Sequence, residues 1–163
     1  MRRRALIALG TTIVIVVAPL AALVLALRTK WEPGVALVRR LGRDRFNRGA
    51  MRTAGTPGAS AQVIRTVGRR SGRPYRTPIG LRRTQSGWIV TLPYGTTPDW
   101  LKNLLAAGSA EVETEGEVRA VTAPRVVPRH DVMHLLGTGD RVVAHLFGVD
   151  ECLLLEDAPT ASA

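Results

Sequence analysis

Aromatic residues make up only 4% of this 163-residue chain, and cysteine occurs once. A single cysteine excludes an internal disulfide and suits a reducing compartment. Cys152 sits in the apolar run Cys152-Leu153-Leu154-Leu155 with no activating neighbour, which reads as a buried structural thiol and not a nucleophile. The chain also lacks Gly-x-Gly-x-x-Gly, Gly-x-x-x-x-Gly-Lys and any alternation of strands with helices, so a doubly wound nucleotide-binding sheet is not expected. So few aromatics leave little to stack bases on, which argues against single-stranded nucleic acid as a partner.

Acidic residues are absent from positions 1–27, which hold three arginines. Residues 28–53 carry eight basic side chains against Glu32 and Asp44, a net of +6. The remainder, 54–163, has twelve basic and eleven acidic residues, a net of +1. The overall charge of +10 therefore belongs to the first third of the chain. That distribution points to an anionic membrane surface as partner and not to nucleic acid.

Between Arg4 and Arg28 run 23 residues, Ala5 to Leu27, without a charge. A bilayer core takes about 20 apolar residues, so the run is long enough to span. Cleaved signal sequences have apolar stretches of about 7–15 residues ending at a small-x-small site. Here the run is longer and ends Leu25-Ala26-Leu27-Arg28, so a retained anchor is expected, with Pro19 either kinking the helix or letting it bend back. More positive charge follows the run than precedes it, which places the folded domain on the cytoplasmic side of a single-pass cell-membrane protein. Residues 34–50 put Val35, Val38 and Leu41 on one stripe among arginines, the pattern of an amphipathic helix lying on the inner leaflet.

Past a loop at 54–60, strands are expected over 61–67, 75–84 and 88–92, separated by a tight turn at 68–73 and by Gln85-Ser86-Gly87. A helix follows, with Thr97 as N-cap, Pro98 in its first position, Trp100, Leu101, Leu104 and Leu105 as its buried stripe, and Gly108 as its stop. Strands at 110–115 and 117–127, a short helix near 129–137, an element near 140–147 and a strand at 151–156 complete the domain. Glu111, Glu113 and Glu115 alternate along one strand and read as a solvated face. The fold class is mainly β (α+β) with a few helices.

The densest local feature is Arg65-Thr-Val-Gly-Arg-Arg-Ser-Gly-Arg-Pro-Tyr-Arg-Thr-Pro78, five arginines within 12 residues, punctuated by Gly68 and Gly72. Glycines let the backbone approach an anion and expose successive N–H groups. Arginine adds planar bidentate donors matched to phosphate oxygens, and Ser71 a neutral one. By itself the segment specifies an anion and nothing finer.

The pattern Thr66-x-Gly68-Arg69-Arg70-Ser71-Gly72-x-x-x-Arg76-x-Pro78, followed by Tyr94-Gly95-x-x-Pro98-x-Trp100-x-x-Asn103-Leu104, resembles the deazaflavin-dependent nitroreductase family over about residues 60–120. The resemblance implies a split β-barrel and hydride transfer from reduced coenzyme F420, with FMN as the alternative cofactor. It assigns the phosphate and acidic tail to the Gly68–Gly72 turn with Arg69, Arg70 and Ser71. The deazaflavin ring falls to Arg76, Thr77, Pro78 and Ile79 and to the loop from Thr91 to Tyr94 and Gly95. Thr66, in the same motif, is implied to be cofactor-binding too, and Trp100 and Asn103 begin the helix that closes the site, though a core role for Trp100 is equally consistent. Family members that reduce nitroaromatics or quinones carry tyrosines in the carboxy-terminal part, whereas no tyrosine follows Tyr94 here. Residues 130–149 offer His130, His134, His145 and Phe147 instead. A quinone, nitro or enone-type hydride acceptor is thus implied, with a non-catalytic deazaflavin carrier as the alternative, and homodimers are frequent among such barrels.

His130-Asp-Val-Met-His134 imitates a His-Glu-x-x-His zinc motif, but Asp is one methylene short for a general base and no metal site is expected. The resulting organisation is a basic amino terminus at 1–4, a transmembrane anchor at 5–27 and a basic amphipathic segment at 28–53. A split-barrel cofactor domain then covers 54–158, with a disordered tail at 159–163.

Overall fold

The computed structural model describes residues 47–159, together with residues 21, 24, 25, 28, 29, 31, 33, 34 and 36. Most of the expected anchor at 5–27, most of the amphipathic segment and nearly all of the expected tail lie outside these residues. Among the described residues no helix is long and apolar enough to cross a membrane.

A short helix α1 (Asn47–Ala50) leads into strands β1 (Gln62–Val67), β2 (Pro74–Ile79), β3 (Arg82–Thr84) and β4 (Gly87–Thr91). Helix α2 (Asp99–Ala107), β5 (Ser109–Thr114) and β6 (Glu117–Pro128) follow. A 3-10 segment (Arg129–Leu135), α3 (Thr138–Leu146) and β7 (Glu151–Asp157) close the domain. All seven strands form one antiparallel sheet in the order β2-β1-β5-β6-β7-β4-β3. The two edge strands, β2 and β3, are consecutive in the chain with only Gly80 and Leu81 between them. Three Cα steps reach at most roughly 11 Å, so the sheet must curl until its edges nearly meet. The expected strand over 75–84 is thus two strands, broken where the chain crosses from one edge to the other.

β6 supplies the other device for curvature. Its first half pairs with β5 and its second half with β7, with a register shift between Thr122 and Arg125. Ala123 takes φ 51° there, and Pro124 cannot donate to the ladder. Inside the curl, α2 presses Leu101 and Leu104, both fully buried, against Ile64, Val112, Val121 and Leu153. On the other face the 3-10 segment buries Val132, and Leu136 just beyond it, against Ile89 and Cys152. The Cys152 thiol is fully buried, and desolvation pushes it up to about 11, as a structural cysteine requires.

Three local expectations change. Thr97 does not cap α2: its hydroxyl donates to the Tyr94 carbonyl at 3.0 Å, and Pro98 holds the N-cap position without a side-chain bond. Leu105 is exposed, and Asn103 takes its place in the buried stripe of α2. The glutamate face of β5 is not a merely solvated one, because Glu113 is partly buried by Arg65 from β1 and Arg76 from β2.

Candidate functional site

The arginine segment is a hairpin turn between β1 and β2. Gly68 N–H donates to the Arg73 carbonyl at 2.8 Å and Gly72 N–H to the Gly68 carbonyl at 2.8 Å, which closes the turn. Ser71 Oγ lies 3.2 Å from Tyr75 Oη and accepts from Arg73 N–H at 3.3 Å. A Cβ at position 68 would press on Ser71 Oγ and come within 2.7 Å of the Tyr75 ring, so glycine lets both side chains close over the turn.

The five arginines divide by partner. Arg65 donates to Glu113 at 2.6 Å and to Glu111 at 3.1 Å, and Arg76 grips both oxygens of Glu113 at 2.9 and 2.7 Å. The pairing register explains this, because Arg65 lies opposite Arg76 on one side and Glu111 on the other. Hydrogen bonds from Arg76, reinforced by Arg65, hold the Glu113 carboxyl below its ordinary range, and Glu113 in turn raises Arg65. Arg69 reaches α2: its backbone N–H and a guanidinium N–H donate to Asn103 Oδ1 at 3.2 and 2.8 Å, and it meets Asp99 at 3.3 Å. Among the described residues Arg70 and Arg73 make no ion pair, and both are exposed.

The Arg69–Asn103 contact joins the two sequence motifs in space. It brings together Gly68, Arg69, Arg70, Ser71 and Gly72 with the start of α2. Trp100 lies one residue after Asp99, half-buried against the core. Tyr94 and Gly95 stand in the loop leading into this helix, where Gly95 N–H donates to the Leu92 carbonyl at 3.0 Å. Other residues are not gathered there. Side chains alternate along a strand, so Arg76 and Pro78 point to the face opposite Thr77 and Ile79, and Ile79 is part of the core. Thr91, at the end of β4, lines an open cleft of about 390 Å³ with Ser60, Leu81, Ile89, Leu136 and Asp140. A second cleft of about 370 Å³ is bounded by Gln62, Trp88 and Arg119. Gln62 stands at the far end of β1 from the turn, about 17 Å away along the strand.

Asn103, which the second motif already placed in the helix that closes the site, gains a specific partner in Arg69. Its signal was a polar residue on the apolar face of α2, one helical turn past Asp99. Lys102 beside it is exposed and makes no ion pair among the described residues.

The arrangement suits a polyanion. Two guanidiniums without an ion pair among the described residues stand on a hydrogen-bonded glycine turn, and Arg69 and Asn103 clamp that turn to a helix start. Beneath it Thr66 Oγ1 is buried without a hydrogen-bond partner, so polar capacity is left open at this point. At three residues per 3-10 turn, His130 and His134 do not share a face. Among the described residues no group of three or more His, Cys, Asp or Glu could hold an ion.

A protein-family model described as F420H(2)-dependent quinone reductase matches residues 39–145. None of the curated proteins matches the chain. A solved structure described as a domain-swapped dimer aligns with 15% identity over 74% of this chain and 98% of its own, with a TM-score of 0.51. An F420-H2 dependent reductase (FDR-A) aligns at 15% identity over 60% of this chain and 94% of its own, TM-score 0.46. HutZ, a heme storage protein from Vibrio cholerae, does so at 15% over 62% and 83%, TM-score 0.44.

Proposed function

The chain belongs to the F420H(2)-dependent quinone reductase family, and on that premise we propose that it passes a hydride from reduced F420 to a quinone-type acceptor drawn from the membrane. The family is one of oxidoreductases that use F420. Bound reduced F420 supplies the hydride, and the protein's task is to bind, orient and exclude.

Arg70 and Arg73 hold the anionic tail as charge-assisted donors, each bond contributing about 1.5–3 kcal/mol. Arg69 serves the turn by tying it to Asn103 and Asp99 and is not itself free to take phosphate. Thr91 belongs both to the loop assigned to the ring and to the lining of the 390 Å³ cleft. The acceptor is accordingly placed in that cleft, where Arg82, Arg83 and Thr91 offer polar groups beside a small apolar floor of Leu81, Ile89 and Leu136. Residues 5–27 anchor the domain, residues 28–53 lie on anionic lipid, and the domain faces the cytoplasm. The pairing of two chains completes the reading.

The observation that carries it is the convergence of the arginine turn and the α2 start through Arg69. The test is stopped-flow oxidation of reduced F420 by menaquinone, using the full chain in lipid vesicles. Turnover with a quinone, and slower turnover with a nitroaromatic compound, is expected. Oxidation of reduced F420 by neither acceptor would overturn the reading.

A further inference from the structure

The outer face of α3 is left bare. Val142, Val143 and Leu146 are exposed by 53%, 40% and 44%, while Ala144 on the inner side is fully buried. At roughly 100° per residue the three lie within about 100° of arc, so the helix shows an apolar stripe where a solvated one is polar.

This stripe lies beside the point where the chain enters the domain. Gly148, two residues past α3, packs against Arg28, such that a Cβ on it would come within 3.3 Å of Arg28 Cγ and 3.6 Å of the Arg28 carbonyl oxygen. Arg28 is the first residue after the uncharged run. Thr29 closes a helical turn back onto the Leu25 carbonyl, at 2.9 Å from its N–H and 2.8 Å from its hydroxyl. Leu25 and Trp31, three residues to either side of Arg28, are themselves exposed by 62% and 60%.

We propose that the Val142–Val143–Leu146 face of α3, with Leu25 and Trp31, rests in the interfacial layer of a lipid bilayer and fixes how the domain sits on it. The inference rests on the anchor reading of residues 5–27 and adds an orientation that an anchor alone does not impose. Three observations favour lipid as the occupant. Arg28, the first residue after the apolar run, packs at Gly148, two residues past this helix. Tryptophan is the residue most at home at the membrane–water boundary, and Trp31 is bare. The segment 28–53, with its net charge of +6, leaves the same point and draws anionic headgroups to it. Asp140 on α3 and Leu136 just before it also line the 390 Å³ cleft, so the same helix borders both the stripe and the cleft.

Full-length Val142→Cys and Leu146→Cys proteins, labelled with the environment-sensitive fluorophore NBD, test this against Glu117→Cys at the β5–β6 turn. Buried Cys152 does not compete for label. In phosphatidylglycerol–phosphatidylethanolamine vesicles, labels at 142 and 146 are expected to be quenched by lipid-borne doxyl groups. They should also be several-fold less accessible to iodide than the label at 117. Protein that floats with the vesicles while 142 and 146 stay as open to iodide as 117 would overturn the orientation and leave the anchor standing. Failure to float would remove the anchor and the orientation together. Self-quenching between labels at 142 that survives dilution with excess lipid would make a second copy the occupant, and so overturn it.

Discussion

Among the described residues Arg70 and Arg73 make no ion pair, whereas Arg65, Arg69 and Arg76 are each held by a carboxylate. Five arginines that look equivalent in the sequence therefore have two kinds of work. Composition could locate the anion site but not divide it, because the division depends on partners far along the chain: Glu113 is 48 residues from Arg65, and Asn103 is 34 from Arg69. Asn103 and Gly68 fix the turn's shape from opposite sides. Replacing Gly68 with alanine drives a methyl into Ser71 and Tyr75, and Asn103→Ala strips both Arg69 bonds from a buried acceptor. Each variant is expected to lose about 1–3 kcal/mol of stability, read by chemical denaturation. Asn103→Asp, which keeps the acceptor, should recover most of the loss, whereas equal losses in the two Asn103 variants would argue against the clamp.

At the scale of elements, strand and helix positions were legible because period-two runs, glycine turns and the Gly108 stop are local signals. Two things were not. The break at Gly80 and Leu81 follows from the sheet closing on itself, and the partial burial of Glu113 follows from strand register. Neither leaves a mark within a short window. The structure separates Leu104, fully buried beneath the curl, from Leu105, 41% exposed, although the sequence put both on one stripe. Leu104→Ala should cost about 2–5 kcal/mol in thermal or denaturant unfolding, and Leu105→Ala under about 1. Equal losses would contradict the assigned face of α2. The Arg65–Glu113–Arg76 ladder ties β5, β1 and β2 together and makes their stability depend on pH. Glu113 has a folded value below its ordinary 4.5, so its contribution is fully present above about 4.5 and fades as pH falls through the depressed folded value. The stability gap between the wild type and Glu113→Gln should accordingly narrow on acidification below 4.5, and a gap constant from pH 7 to pH 3 would remove Glu113 from the ladder.

For the whole molecule, the distribution of charge along the chain gives the arginine turn its meaning. The domain after residue 53 is nearly neutral, at +1, so an arginine cluster within it is a local site and no part of a general basic surface. Fold class and the site's first motif were readable from sequence. The linkage between the motifs required the curled sheet, which brings the β1–β2 turn onto the start of α2. The direct test of the central claim is a titration of the full-length protein with F420, following cofactor fluorescence, for the wild type and for Arg70→Ala/Arg73→Ala. Binding at micromolar or lower concentration is expected for the wild type. At about 1.5–3 kcal/mol per lost contact, the double variant should bind at least 100-fold more weakly, with its unfolding midpoint unchanged. Wild-type protein that leaves F420 free, or a double variant that binds as tightly as wild type, would contradict the account.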